Sequence, residues 1–189
     1  MSERLNRAIA FATEAHNGAV RKITLLPYIL HPMEVAANAA SITTDEDVII
    51  AALLHDTVED AGVLPETLVR EFGQRVADLV ASETEDKMNH LPKSASWKAR
   101  KEGSLQILRN TEDEGVKMLW LSDKLANMRS LYADWLKNGD NVFLHFHVTD
   151  KSLHAWYYRS IAELTQSLKD SAAWQEYNRL VELVYREIK

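Results

Sequence analysis

Residues Ile49 to Gly62 read Ile-Ile-Ala-Ala-Leu-Leu-His-Asp-Thr-Val-Glu-Asp-Ala-Gly. An apolar run suited to a buried helix ends here in His55, Asp56, Glu59 and Asp60, crowded within two turns. Helical neighbours lie three and four residues apart, so the spacing predicts one continuous helix on which His55 meets Glu59, and Asp56 meets both Glu59 and Asp60. An imidazole and three carboxylates on one face would repel one another and lose hydration unless a cation or a bound proton offset them. A divalent metal ion meets that need.

One turn cannot complete a metal site, and two other stretches offer ligands. His31 lies in Pro27-Tyr28-Ile29-Leu30-His31-Pro32. Pro32 disfavours helix at His31 and suits the first position of the helix that follows, so the imidazole is expected at a helix entrance. Asp123 ends the apolar run Val116 to Ser122, and Asn127 follows one turn later on the same face. Two His and two Asp (His31, His55, Asp56 and Asp123) make a mixed nitrogen and oxygen set that suits Mn, Fe or Zn better than Ca or Mg. Such an ion polarises a phosphoryl oxygen and lowers the pKa of a bound water toward ~7, which is hydrolytic chemistry. Glu59 and Asp60, about one turn beyond the ligand pair, are the candidates for general acid and base.

The order His31, His55-Asp56, Asp123 resembles that of the HD-domain metal-dependent phosphohydrolases. Arg21-Lys22, Pro27 to Pro32, Ala51 to Asp60, and Asp123-Lys124-Leu125-Ala126-Asn127-Met128-Arg129 are similar to blocks of the hydrolase domain of RelA/SpoT enzymes and of the small stand-alone alarmone hydrolases. The resemblance runs from about Leu5 to the final helices. It implies an all-α HD-fold bundle, one domain over residues 1–189 with additional C-terminal helices. It also implies a manganese cofactor and removal of the 3′-pyrophosphate of guanosine tetra- or pentaphosphate, with the Glu59-Asp60 pair catalytic. Arg21, Lys22 and Asn127 then contact the guanine nucleotide, Arg by stacking or bidentate phosphate contact and Lys as a point charge. Ile23-Thr24-Leu25-Leu26 is more apolar than that family's loop, and Leu153 falls where some stand-alone members present Tyr. Two other functions fit the same ligands: phosphatase action on a different nucleotide, and a nucleotide-binding sensor without turnover.

The rest of the chain narrows the class. At 189 residues and 46% hydrophobic content it can bury one substantial core. A formal charge of −6 argues against a general nucleic-acid binder. With no Cys there is neither a disulfide framework nor a thiolate site. Met1 to Asn6 has no signal-like apolar region, and no run approaches the ~20 apolar residues of a membrane span. A soluble, cytoplasmic enzyme is expected, its oligomeric state left open.

Periodicity predicts helices from Leu5 to about His16, Met33 to Ile42, and a third, opened by a Thr43/Glu46 capping box, to about Asp60. Others follow over Pro65 to Gly73, Gln74 to about Asp86, Trp97 to Arg109, a long one carrying Asp123 to Gly139, then Lys151 to Leu168 and Ala172 to Ile188. No alternation is long enough for a sheet. His145-Phe146-His147 lacks a matching carboxylate cluster and is not read as a second metal site. Lys98-Ala99-Arg100-Lys101 reads as solvated helix surface, His16, His90 and His154 as core-edge or surface residues, and Trp120, Trp135, Trp156, Tyr157 and Trp174 as packing.

Overall fold

The computed structural model describes residues 2–21, 25–85, 87–88 and 90–188. Among these the regular structure is helical: α1 (Glu3–Ala15), α2 (Leu30–Ile42), α3 (Glu46–Leu54), α4 (Thr57–Ala61), α5 (Pro65–Phe72), α6 (Gln74–Glu83), α7 (Lys93–Asn110), α8 (Glu114–Asn138), α9 (Lys151–Leu164) and α10 (Ala172–Tyr185). Extended pairing is limited to one bridge, Val20 with Pro27, at the base of the loop before α2. None of the described helices is long and apolar enough to cross a membrane.

The expected all-α architecture is observed, and two helices form its axis. In α3, Val48, Ile50, Ala51, Ala52, Leu53 and Leu54 are all buried. In α8, Leu119, Trp120, Leu121, Leu125, Ala126 and Met128 are buried around most of the circumference. A helix apolar around most of its circumference has to be covered on several sides. Accordingly α8 packs against α2, α3, α9 and α10, while α3 takes α1, α2 and α6 on its other sides. Each fully buried Leu contributes about 1.5–3 kcal/mol. Truncating Leu121, which has no exposed surface, to Ala therefore costs about 2–5 kcal/mol and loosens the helix that carries Asp123.

Polar clamps set the register of these helices. Arg129 on α8 donates to Asn38 Oδ1 (2.9 Å) and Glu34 (3.2 Å) on α2, and through two nitrogens to Glu176 on α10 (2.7 Å each). Asn38 Nδ2 donates to the carbonyl of Ser122 at 3.0 Å, which fastens α2 to α8 one residue before Asp123.

Several boundaries differ from expectation. Helix α2 begins at Leu30, so His31 is inside its first turn and not ahead of it. The first-turn N–H groups have no intrahelical partner, so Pro32 sacrifices nothing there. The third helix is capped by Asp45, whose side chain accepts from Asp47 N; Glu46 turns instead toward Ser2 and Arg4. Most consequentially, the predicted continuous helix breaks at His55-Asp56. There Asp56 takes φ −91°, ψ −3°, and Thr57 Oγ1 donates to the Leu54 carbonyl at 2.6 Å, a local bond that competes with helix propagation. Helix α4 then closes at Gly62, whose φ of 70° suits a residue without Cβ. Helix α7 starts at Lys93, four residues before the expected Trp97, with Pro92 leading in, and residues Gly139–His145 form a 3-10 segment.

Candidate metal centre and substrate cavity

The break between α3 and α4 assembles the site. On a regular helix consecutive side chains splay about 100° apart; here His55 Nε2 and Asp56 Oδ2 approach to 3.0 Å. His55 Nδ1 donates to the carbonyl of Ala52 at 2.9 Å, which fixes the ring and leaves Nε2 as the atom facing inward. From α2, His31 Nε2 comes within 3.0 Å of Asp123 Oδ1 and 3.7 Å of Asp56 Oδ2. Asp123 Oδ1, on α8, is also 3.5 Å from His55 Nε2. Binding atoms of His31, His55 and Asp123 all lie within 4.8 Å of one another, and all three residues are buried. Asp56 flanks both imidazoles but falls outside that trio. The structure thus brings His31, His55, Asp56 and Asp123 together from three distant segments.

The two carboxylates are held from behind. Tyr28 donates to Asp56 Oδ2 at 2.6 Å. Asn127 Nδ2 donates to Asp123 Oδ1 at 2.8 Å, while Lys124 Nζ contacts Asp123 Oδ2 and donates to Glu83 Oε1 at 2.9 Å. The Lys124 ammonium also faces the Trp120 ring, 5.0 Å from its centroid. Burial works against the charge on Asp123, yet Lys124 and the two imidazoles outweigh it and hold its carboxyl well below the usual range. Burial likewise opposes charge on His55, but Asp56 and Asp123 prevail and raise its pKa well above the ordinary histidine value. The carboxylates therefore demand positive charge at the point where the imidazoles converge.

Two cavities meet here. The smaller, about 160 Å³, is lined by the four ligand candidates with Glu59, Glu83, Lys101 and Lys124 among others. The larger, about 470 Å³, is walled by Val20, Leu131, Phe146 and Tyr158 and edged by His16, Asp60 and Asp134. Arg21, Tyr28 and Asn127 line both. Arg21 Nη2 donates to Asn127 Oδ1 at 3.5 Å, and its guanidinium sits 5.8 Å from the Tyr28 ring centroid. Lys22 lies outside the described residues.

Glu59 and Asp60 were expected to share the ligand face, and they part. Glu59 faces the small cavity, where Oε2 accepts from Glu85 N at 3.2 Å, and burial raises its pKa. Asp60 borders the large cavity and accepts from Lys87 at 2.9 Å. Of the stretch of α7 expected to be solvated, Lys98 and Ala99 are exposed, whereas Arg100 and Lys101 turn inward onto Glu85, at 2.8 Å for Lys101. His16 is buried in the large cavity's wall. Tyr28, Glu83, Lys101 and Lys124 were assigned no part in the site. Lys124 directly follows Asp123 and Tyr28 precedes His31 by one turn, so proximity in sequence was the available signal for those two.

Residues 8–143 match the HD domain family. The chain belongs to that family. Among curated relatives, the HD-domain chain is 43% identical over 131 residues to the guanosine-3′,5′-bis(diphosphate) 3′-pyrophosphohydrolase of Aquifex aeolicus, covering 69% of this chain and 18% of that protein. It is 36% identical to the protein of the same name in Vibrio cholerae, again covering 69% and 18%. It therefore spans less than a fifth of the length of these relatives. The crystal structure of lmo0812 from Listeria monocytogenes EGD-e superposes with a TM-score of 0.71 at 32% identity, over 82% of this chain and 99% of that one. A metazoan SpoT ortholog described as hydrolysing ppGpp has the same fold, with a TM-score of 0.75 at 24% identity over 99% and 96% of the two chains.

An HD domain implies dependence on a divalent metal, and the residues present fit one. His55 Nε2 is fully buried and makes no hydrogen bond, although two carboxylate oxygens stand within 3.5 Å. An orphaned imidazole nitrogen aimed between carboxylates is the donor arrangement a cation satisfies. His31, His55 and Asp123 form a possible ion-binding group.

Proposed function

We propose that this HD domain hydrolyses the 3′-pyrophosphate of guanosine 3′,5′-bis(diphosphate), using one manganese ion held by His31, His55, Asp56 and Asp123. The orphaned Nε2 of His55 beside a nucleoside-sized cavity carries the reading. The names of the relatives that are 43% and 36% identical point to the same substrate. When bound, the ion supplies Lewis-acid polarisation of the phosphoryl group and acidifies water.

The protein's own groups do the rest. Glu59, in the small cavity with its pKa raised by burial, takes the proton of the attacking water. Asp60, beside Lys87 at the edge of the large cavity, exchanges protons on the substrate side. Arg21 and Asn127, common to both cavities, grip the ribose and phosphates at the junction, with Lys22 adding charge. Lys101 and Lys124 offset the anionic charge of the substrate within the small cavity. The domain, 1–189 in this sequence with its C-terminal helices α9 and α10, acts in a reducing cytoplasm, with which a chain free of Cys is compatible.

The deciding experiment incubates the manganese-loaded protein with guanosine 3′,5′-bis(diphosphate) and identifies the products. Release of pyrophosphate and GDP is expected. Orthophosphate release, turnover only of another nucleotide, or binding without turnover in excess manganese would each overturn the reading.

A further inference from the structure

Asp134 lines the large cavity, is 8% exposed, and its carboxylate has no hydrogen-bond or ion-pair partner among the described residues. The other buried acids nearby each have a donor: Asp123 has Lys124 and Asn127, Asp56 has Tyr28, and Glu83 has Lys124 on one oxygen. The residue is buried but its carboxylate opens on the cavity, an acceptor left for a donor from outside the chain. His16 Nε2, a fully buried atom without a partner, belongs to the same wall.

The position of Asp134 indicates which donor. Asp123, Asn127, Ser130 and Asp134 succeed one another at intervals of four, three and four residues, so they share one face of α8. Eleven residues of helix carry Asp134 about 16 Å from Asp123 along the axis. A ligand whose phosphates lie at Asp123 and whose sugar lies at Asn127 brings its base toward Ser130 and Asp134, between the apolar walls Leu131, Phe146 and Tyr158. A carboxylate accepts hydrogen bonds and offers two parallel sites. Guanine presents two adjacent donors, N1–H and the 2-amino group. Hypoxanthine presents only N1–H, and adenine sets an acceptor, N1, beside its 6-amino group.

We infer that Asp134 is a specificity-determining residue that selects guanine by accepting from N1–H and the 2-amino group. This rests on the function proposed above and adds the group that reads the base.

The test compares kcat/KM for pyrophosphate release from the guanosine, inosine and adenosine 3′,5′-bis(diphosphates), in wild type and D134N, alongside equilibrium binding of GDP, IDP and ADP. The wild type is expected to favour guanine over hypoxanthine by about tenfold, and over adenine by more. In D134N guanine loses about tenfold and adenine gains relative to it, because an amide donates to N1 of adenine while accepting from its 6-amino group. A purely structural role would lower all three bases alike. Equal use of the three bases by wild type, or a uniform loss in D134N, overturns the inference. If the variant does not fold, the wild-type ratio of guanine to hypoxanthine decides. If no nucleotide is turned over, the proposed function fails, and base preference in binding still decides the role of Asp134: a guanine preference abolished by D134N upholds it, and no preference overturns it.

Discussion

The two cavities of this HD domain differ in size and in material. The smaller, about 160 Å³, is walled by carboxylates, imidazoles and amines from α2, the break between α3 and α4, α4 itself, α6, α7 and α8. The larger, about 470 Å³, offers apolar surface with isolated polar groups at its edge. The polar wall provides fixed charges that tune one another, as His55 and Asp123 do. The apolar wall provides shape and a few hydrogen-bonding positions, which is how small-molecule sites recognise. Under the proposed function, the contrast separates chemistry from recognition, except at Arg21, Tyr28 and Asn127, which line both cavities.

The harshest way to break that division is His55→Ala. It removes the inward Nε2 and the link to Ala52 without touching the large cavity. If His55 holds the proposed ion, several kcal/mol of transition-state stabilisation disappear with it, and turnover should fall on the order of a thousandfold or more. Nucleotide affinity, measured calorimetrically with GDP, should change by no more than about tenfold. A GDP affinity that collapses along with turnover would mean that the two cavities work as one.

Glu59→Gln probes the small cavity more gently. Removing a general base costs about 10²–10⁴-fold in kcat, while manganese affinity and KM stay near wild type. Burial raises the carboxyl's pKa, so the acidic limb of the wild-type pH profile should lie above the ordinary glutamate range and vanish in the variant. A limb that persists unchanged in Glu59→Gln assigns the base elsewhere, with Asp60 the next candidate.

How much of this could be read from the residues follows the same division. The ligand candidates were legible because each sits in a short block whose local order carries the signal: His31 before Pro32, the His55-Asp56 doublet, and Asp123 at the end of an apolar run. Their convergence needed the clamp of Asn38 on Ser122, a contact across 84 positions. The break at His55-Asp56 was hidden because apolar spacing continues straight through it, and only the Thr57 hydroxyl bond to Leu54 marks it. That break is why Glu59 and Asp60 diverge. Lys101 looked solvated because nothing near it in sequence announces Glu85 as its partner. The large cavity draws its wall from residues between Ala15 and Tyr158, a gathering that no local pattern encodes.

The Glu83–Lys124 pair supports the small cavity from below, and Glu83→Gln sharpens what that support costs. Burial pushes the Glu83 carboxyl up to about 7 from its usual 4.5. Between those values the unfolded chain has released this proton and the folded chain has kept it, so stability declines as pH rises through the window. Gln mimics the protonated acid throughout. In chelator, urea unfolding of wild type and variant should therefore agree near pH 4.5 and diverge toward pH 8, with the variant more stable by on the order of 1–3 kcal/mol. Parallel curves would show that Lys124 already stabilises the ionised form fully.

Tyr28→Phe gives the smallest effect and the finest discrimination, because Tyr28 faces both cavities. Its hydroxyl donates to Asp56 at 2.6 Å, and burial, followed by the Asp56 charge, raises its pKa, so it remains a neutral donor at every working pH. Its ring meanwhile lies against His16 and near the Arg21 guanidinium. Phe keeps the ring and deletes only the hydroxyl. If Tyr28 serves the small cavity, manganese should bind about tenfold more weakly, the usual penalty for losing a group that orients a ligand. KM for the nucleotide under saturating manganese should then be unchanged. If KM rises while manganese affinity holds, the hydroxyl serves the nucleotide, and the boundary between chemistry and recognition runs on the ion's side of Tyr28, between its ring and Asp56.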